Sequence, residues 1–226
     1  MSNGEVSVVK LHPAIHIYRG ITKNPQEIIN QLEATPTDDE HYCWNGWAPW
    51  VGKTVRGRAI SLNQSFVHSP GRPVKSDDLG AAAMKELRRS FEVATASYLS
   101  ELNVELTKPF FGGMSVNRYN PGVEMGWHTD AGDPNRKTRW SVTCNVYLND
   151  DYEGGELNFR IGTKEEGTEI LGYKPIAGDI IVFPSNPPFF HQVNTITSGF
   201  KYFAGILWQE ELPLGTDPSW QHAFVD

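Results

Sequence analysis

Hydrophobic and polar positions change their period part-way along this 226-residue chain. In the first half, apolar residues recur at the three-to-four spacing of a helix face. Asn24-Pro25-Gln26-Glu27 combines a capping residue, a proline at the first helical position and a Glu three residues after the cap. It predicts a short helix, to about Glu33, that buries Ile28, Ile29 and Leu32. A long helix is expected to start near Ser76-Asp77-Asp78, whose carboxylates suit the positive end of the helix dipole. Leu79, Ala83, Leu87, Phe91, Ala94, Tyr98 and Leu102 then form one packed face. Between the helices, residues 35–75 read as loops and short strands with an aromatic cluster at Tyr42, Trp44, Trp47 and Trp50. That cluster is either a small core beneath a loop or a wall of a substrate groove.

From about Phe110 the period shortens. Met114–Asn120, Arg139–Leu148, Glu156–Ile161, Thr168–Tyr173, Asp179–Phe183 and Lys201–Trp208 read as strands bounded by turn-forming residues. Strands in succession with no helix between them predict an antiparallel jelly roll or barrel. In one of them Trp140, Val142, Cys144, Val146 and Leu148 share a face, while Ser141, Thr143, Asn145 and Tyr147 share the other. In a barrel that polar face can line a cavity. No repeat or linker divides the chain, so a single domain over residues 1–226 is expected.

Composition narrows the function classes. With 20 Lys+Arg against 27 Asp+Glu the net charge is −7, which argues against a nucleic-acid partner. No apolar run is long enough to cross a bilayer, and Met1–Lys10 lacks the pattern of a secretion signal. Cys43 and Cys144 cannot build a disulfide framework, so a reducing, cytoplasmic setting is expected.

The candidate chemistry starts at Gly126-Trp127-His128-Thr129-Asp130. Chance alone gives about 0.3 His-x-Asp triplets in a chain of this composition, so the triplet by itself says little. On extended backbone, however, residues i and i+2 point the same way, so His128 and Asp130 can reach one metal. His191, after the strand Asp179–Phe183, is the candidate third ligand. Two His and a carboxylate make the facial arrangement of non-haem Fe(II) oxygenases. Lys201 interrupts the apolar run Phe200, Tyr202, Phe203, Ala204. Facing inward it needs an anionic partner, to which the Tyr147 hydroxyl would add a second donor.

Asn117-Arg118-Tyr119, His128-Thr129-Asp130, Tyr147-Leu148-Asn149, Gly154–Phe159, Gly178–Phe183, His191 and Lys201 occur in the order found in Fe(II)/2-oxoglutarate-dependent dioxygenases. Over about residues 110–208 the chain resembles their prolyl 4-hydroxylase-like branch. The resemblance implies a mainly β fold, a double-stranded β-helix (jelly roll) buttressed by N-terminal helices. It implies His128, Asp130 and His191 as catalytic Fe(II) ligands, and Lys201 and Tyr147 on the far carboxylate of the cosubstrate 2-oxoglutarate. Tyr119 and Asn145 would line the same pocket. The reaction implied is oxidative decarboxylation of 2-oxoglutarate with O2, ascorbate serving as reductant, coupled to hydroxylation of an unactivated C–H bond. A prolyl residue in a peptide or protein is the leading substrate. Alternatives are hydroxylation of a free amino acid or other small molecule, a cupin-type metalloenzyme that uses no 2-oxoglutarate, and a non-catalytic jelly-roll binding module. Trp208, seven residues after Lys201, stands one residue off the family's spacing. The 42–50 and 131–138 loops are expected to close over an extended substrate.

Overall fold

The computed structural model describes residues 6–34, 47–49, 55–56, 59–62, 81–131, 138–161, 169–216 and 218–224. A hairpin of β1 (Ser7–His12) and β2 (Ile15–Arg19) leads to helix α1 (Pro25–Glu33), then to β3 (Trp47–Pro49), β4 (Val55–Arg56) and β5 (Ala59–Leu62). After helix α2 (Ala81–Leu102) come β6 (Phe110–Tyr119), β7 (Glu124–His128), β8 (Thr138–Tyr147), β9 (Glu153–Gly154), β10 (Leu157–Ile161) and β11 (Glu169–Tyr173). The chain continues through β12 (Ile180–Pro184), β13 (Phe190–Val193), β14 (Ile196–Ser198) and β15 (Lys201–Glu211) to a closing 3-10 helix, Ser219–Phe224.

Eight strands form the larger sheet in the order β1-β2-β12-β8-β15-β6-β5-β3, and five form the smaller in the order β11-β10-β13-β7-β4. Every pairing between them is antiparallel. The two larger sheets make the double-stranded β-helix expected from the sequence, buttressed by the described helices α1 and α2. No described helix is long and apolar enough to cross a membrane.

Side-chain alternation divides the larger sheet's faces between two cores. Met114 and Val116 of β6, Val142, Cys144 and Val146 of β8, Ile180 and Val182 of β12, and Ala204 and Ile206 of β15 pack beneath the helices. There they meet Ile28, Ile29 and Leu32 of α1 and Ala83, Leu87, Phe91, Ala94 and Tyr98 of α2. Their neighbours one residue along point between the sheets, where Ile15, Ile17, Tyr147, Ile181 and Phe183 join Leu157, Phe159 and Val193 of the smaller sheet. The helices therefore back the sheet on the side away from the inter-sheet space.

Several details differ from the expectation. Asn24 starts α1 with a left-handed backbone (φ 48°) and no side-chain cap; its carbonyl accepts the Glu27 and Ile28 N–H groups instead. The described part of the long helix begins at Ala81; its expected start at 76–80, Leu79 included, lies outside the described residues, as do Tyr42, Trp44 and Trp50. Trp140 does not share the Val142–Leu148 face. Trp208 of β15 aligns with Val142 while the next residue, Gln209, aligns with Trp140, so β8 carries an extra residue at Ser141. This bulge reverses the alternation and turns Trp140 toward the inter-sheet cavity. A second bulge, in β6 opposite Ile206–Trp208, accompanies the one-residue offset of Trp208. Its indole N–H is thereby set against Thr95 of α2, with Nε1 3.0 Å from Oγ1.

Candidate active site

The smaller sheet supplies the cluster of metal-ligating side chains. His128 closes β7 and is the direct register partner of His191 on β13, so the two imidazoles stand side by side, ring centroids 4.2 Å apart. Asp130 lies two residues beyond His128, outside the strand, and its carboxylate reaches between them. Oδ1 is 3.6 Å from His128 Nε2 and Oδ2 is 3.5 Å from His191 Nε2. One ligand atom from each residue falls within 4.8 Å of the others.

Neighbours orient these groups. Thr143 of β8 donates its hydroxyl to Asp130 Oδ2 at 2.7 Å and meets the Ser185 hydroxyl at 2.8 Å. His128 Nδ1 lies 2.8 Å from the Gly126 carbonyl, a contact that calls for the N–H on Nδ1 and leaves Nε2 free to bind a metal. Burial alone would raise the Asp130 carboxyl, but His191, His128 and Thr143 together hold it below its ordinary value. Burial lowers His191 to about 4, so its imidazole is neutral near neutral pH. His128 is raised, because Asp130 and the Gly126 carbonyl outweigh burial.

The cavity between the sheets has a volume of about 410 Å³. His128, Asp130 and His191 line it together with Lys201, Tyr147, Tyr119 and Asn145. All seven site residues singled out in the sequence thus face one space. Along β8 the cavity-facing side chains come in the order Trp140, Thr143, Asn145, Tyr147. Asp130 docks at Thr143, and the Lys201 ammonium lies 5.0 Å from the Tyr147 ring centroid. The triad and the lysine therefore meet β8 at cavity-facing positions four residues apart, Thr143 and Tyr147. Trp140 lines the cavity on the other side of Thr143 from Tyr147, while Leu207, the register partner of Thr143, lines it from β15.

Lys201 is fully buried. Its ammonium donates to the Gly155 carbonyl at 2.6 Å and forms no ion pair with any described carboxylate. Burial lowers it to about 7, helped by the Lys174 charge and opposed by Glu156. Burial raises Tyr147 and Tyr119, so both hydroxyls keep their protons and can donate. A buried ammonium has three N–H donors, and one carbonyl leaves capacity for an anion. The donor set suits a divalent metal at one end and a carboxylate at the other. Sequence reading missed Thr143, Trp140 and Lys174 as contributors; strand alternation already put Thr143 on the correct face, but only pairing revealed its partner.

The family model for the 2OG-Fe(II) oxygenase superfamily matches residues 114–209, which include the triad and Lys201. Over those residues the chain carries the pattern of this superfamily. A PKHD-type hydroxylase from Polaromonas sp. is 27% identical over 173 residues, covering 75% of this chain and 71% of the relative. Among solved structures, the viral collagen prolyl hydroxylase of Paramecium bursaria Chlorella virus-1 aligns with a TM-score of 0.57 at 18% identity, over 87% of this chain and 96% of that one. A prolyl hydroxylase from Trichoplax adhaerens, solved with a hypoxia inducible factor peptide fragment, aligns with a TM-score of 0.59 at 15% identity. That alignment spans 95% of this chain and 88% of the other. This oxygenase is therefore an enzyme of the 2OG-Fe(II) dioxygenase class, and its inter-sheet cavity is the candidate active site.

Proposed function

We propose that His128, Asp130 and His191 hold Fe(II), that Lys201 and Tyr147 hold the distal carboxylate of 2-oxoglutarate, and that the enzyme hydroxylates a prolyl residue in a peptide or protein. The observation that carries this reading is the pairing, within one cavity, of a two-histidine, one-carboxylate cluster with a buried lysine that lacks a carboxylate partner among the described residues. Two His and one carboxylate leave open metal positions for a chelating cosubstrate and O2. Bound there, Fe(II) and 2-oxoglutarate supply oxygen activation coupled to decarboxylation.

The chain's own residues set the conditions. Thr143 fixes the orientation of the Asp130 carboxylate, and the Gly126 carbonyl fixes the imidazole of His128. Neutral His191 offers a lone pair. Tyr147 and Lys201 both present donors, as recognition of a carboxylate requires. Tyr119 and Asn145 line the wall of the same space. The prolyl reading is supported by the relative described as a PKHD-type hydroxylase and by the two prolyl hydroxylases that share the fold. The apolar lining residues Trp140 and Leu207 suit a pyrrolidine ring.

Succinate formation from 2-oxoglutarate with Fe(II) and ascorbate, with and without proline-containing peptides, tests the proposal. Peptide-stimulated succinate and the gain of one oxygen atom by the peptide are expected. Stimulation by free amino acids alone would overturn the peptide assignment. No succinate from metal-loaded protein under any condition would overturn the cosubstrate assignment.

A further inference from the structure

The turn from Tyr152 to Gly155 is gripped by two lysines. Lys174, just after β11, donates from Nζ to the Tyr152 carbonyl at 3.0 Å and also to the Gly154 carbonyl. Its ammonium stands 3.8 Å from the centroid of the Tyr152 ring. Lys201 holds the next carbonyl, that of Gly155, and its ammonium lies 5.6 Å from the same ring. Lys201 lines the cavity and Lys174 does not.

Neither glycine of the turn has room for a side chain. Gly154 and Gly155 both adopt positive φ, 73° and 67°. A Cβ at Gly154 would lie 2.1 Å from the Thr195 carbonyl oxygen, and one at Gly155 would lie 2.4 Å from Ile196 Cδ1. The Gly155 N–H donates to the Thr195 carbonyl at 3.2 Å. Two successive carbonyls in a wedged turn thus connect Lys174, outside the cavity, to Lys201 within it.

We propose that Lys174 is a positioning residue for Lys201, acting through the Gly154–Gly155 carbonyls to aim the Lys201 ammonium at the distal carboxylate of the cosubstrate. The inference rests on the 2-oxoglutarate reading above. The carbonyl that accepts one Lys201 N–H sets the direction of the other two, so loosening it redirects the donors left for the carboxylate.

Lys174 also acts on Lys201 through its charge. The groups that surround the Lys201 ammonium are Lys174 and Glu156 on the turn side, the Tyr147 and Tyr152 rings, and Tyr119, its register partner on β6. Lys174 opposes protonation of Lys201, and Glu156 favours it. Removing Lys174 therefore has two separable effects. The anchor loosens, which weakens binding, and the Lys201 charge becomes easier to keep, which moves the alkaline fall in binding to higher pH.

The test measures 2-oxoglutarate binding to the metal-loaded protein by calorimetry, with Mn(II) in place of Fe(II), from about pH 6 to about pH 9. Wild type, Lys174→Met, Lys174→Gln, Lys174→Arg and Lys201→Ala are compared. Loss of one charged donor's hydrogen bonds corresponds to about a tenfold weaker Kd for Lys174→Met at the acid end of the range. Its alkaline midpoint should move upward, and Lys174→Arg should restore wild-type behaviour. Lys174→Gln keeps an amide donor without the charge; it should shift the midpoint while losing less affinity, and it serves if Lys174→Met does not fold. Wild-type affinity and midpoint in both neutral variants, or weakened binding with an unmoved midpoint, would overturn the inference. Absence of binding in the wild type, or wild-type binding by Lys201→Ala, would instead overturn the cosubstrate reading.

Discussion

Lys201 is buried against a carbonyl and two aromatic rings, and this has opposite consequences for stability and for binding. Its value falls from 10.5 in the unfolded chain to about 7 in the fold. Between those values the unfolded chain binds the extra proton, so the ligand-free protein gains stability as pH rises from about 7 toward 10.5. Replacing the charge by an apolar side chain of similar length removes this dependence. Lys201→Met should stabilise the ligand-free protein by about 1–4 kcal/mol near neutral pH, read from urea unfolding, while abolishing 2-oxoglutarate binding. A destabilised variant would contradict the view that the lysine is held for binding rather than for the fold. Binding has the reverse sense: the dicarboxylate needs the charged lysine, so wild-type affinity should fall about tenfold per pH unit once pH exceeds about 7. Thr143 makes a further prediction at this scale. Thr143→Val keeps the shape but removes the donor to Asp130, and should weaken metal binding about 10–100-fold, measured by competition with a chelator. Unchanged metal affinity would show that Asp130 needs no such support.

At the scale of the element, the bulge in β8 divides the cavity floor into two ends. On the regular side of it Thr143, Asn145 and Tyr147 point inward and lead toward Lys201; on the other side Trp140 joins them out of phase. Trp140→Ala should raise the KM for a peptide substrate while leaving 2-oxoglutarate binding unchanged, a split readable from succinate kinetics and calorimetry. Equal losses in both would show that the two ends are not separate. The strands were legible where alternation or apolar runs were strong, as in β8, β10 and β12. Short β7 and β13, which carry His128 and His191, were not. Each is four or five residues long and rich in polar or Gly positions, so its extended conformation comes from pairing with a neighbour and not from its own pattern. The bulges were also illegible, because an extra residue in a strand is defined only by its partner.

Taken as a whole, the molecule places its catalytic candidates between two sheets, one of them backed by helices. Ligands that bind only this folded arrangement should raise its thermal stability. At about 100 times Kd, 2-oxoglutarate should add about 2.7 kcal/mol, a rise in Tm of roughly 5–10 °C for a chain of this length. The rise should be present for the metal-loaded wild type and absent for Lys201→Ala, as followed by differential scanning calorimetry. An equal rise in both would mean that the dicarboxylate binds elsewhere.

The motifs from Asn117 to Lys201 pointed to the oxygenase class by their order along the chain, because a His-x-Asp triplet, a later His and an apolar-flanked lysine say little singly and much in sequence. The helical and alternating periods likewise determined which faces of α1, of the described part of α2 and of β8 from Val142 onward are apolar. Tertiary structure decided what those residues do to one another. It made His191 the register partner of His128, set Thr143 against Asp130, turned Trp140 inward and tied Lys174 to Lys201 through two glycine carbonyls. These relations join residues distant along the chain, and their energies arise from burial and hydrogen bonding that exist only once the sheets have closed.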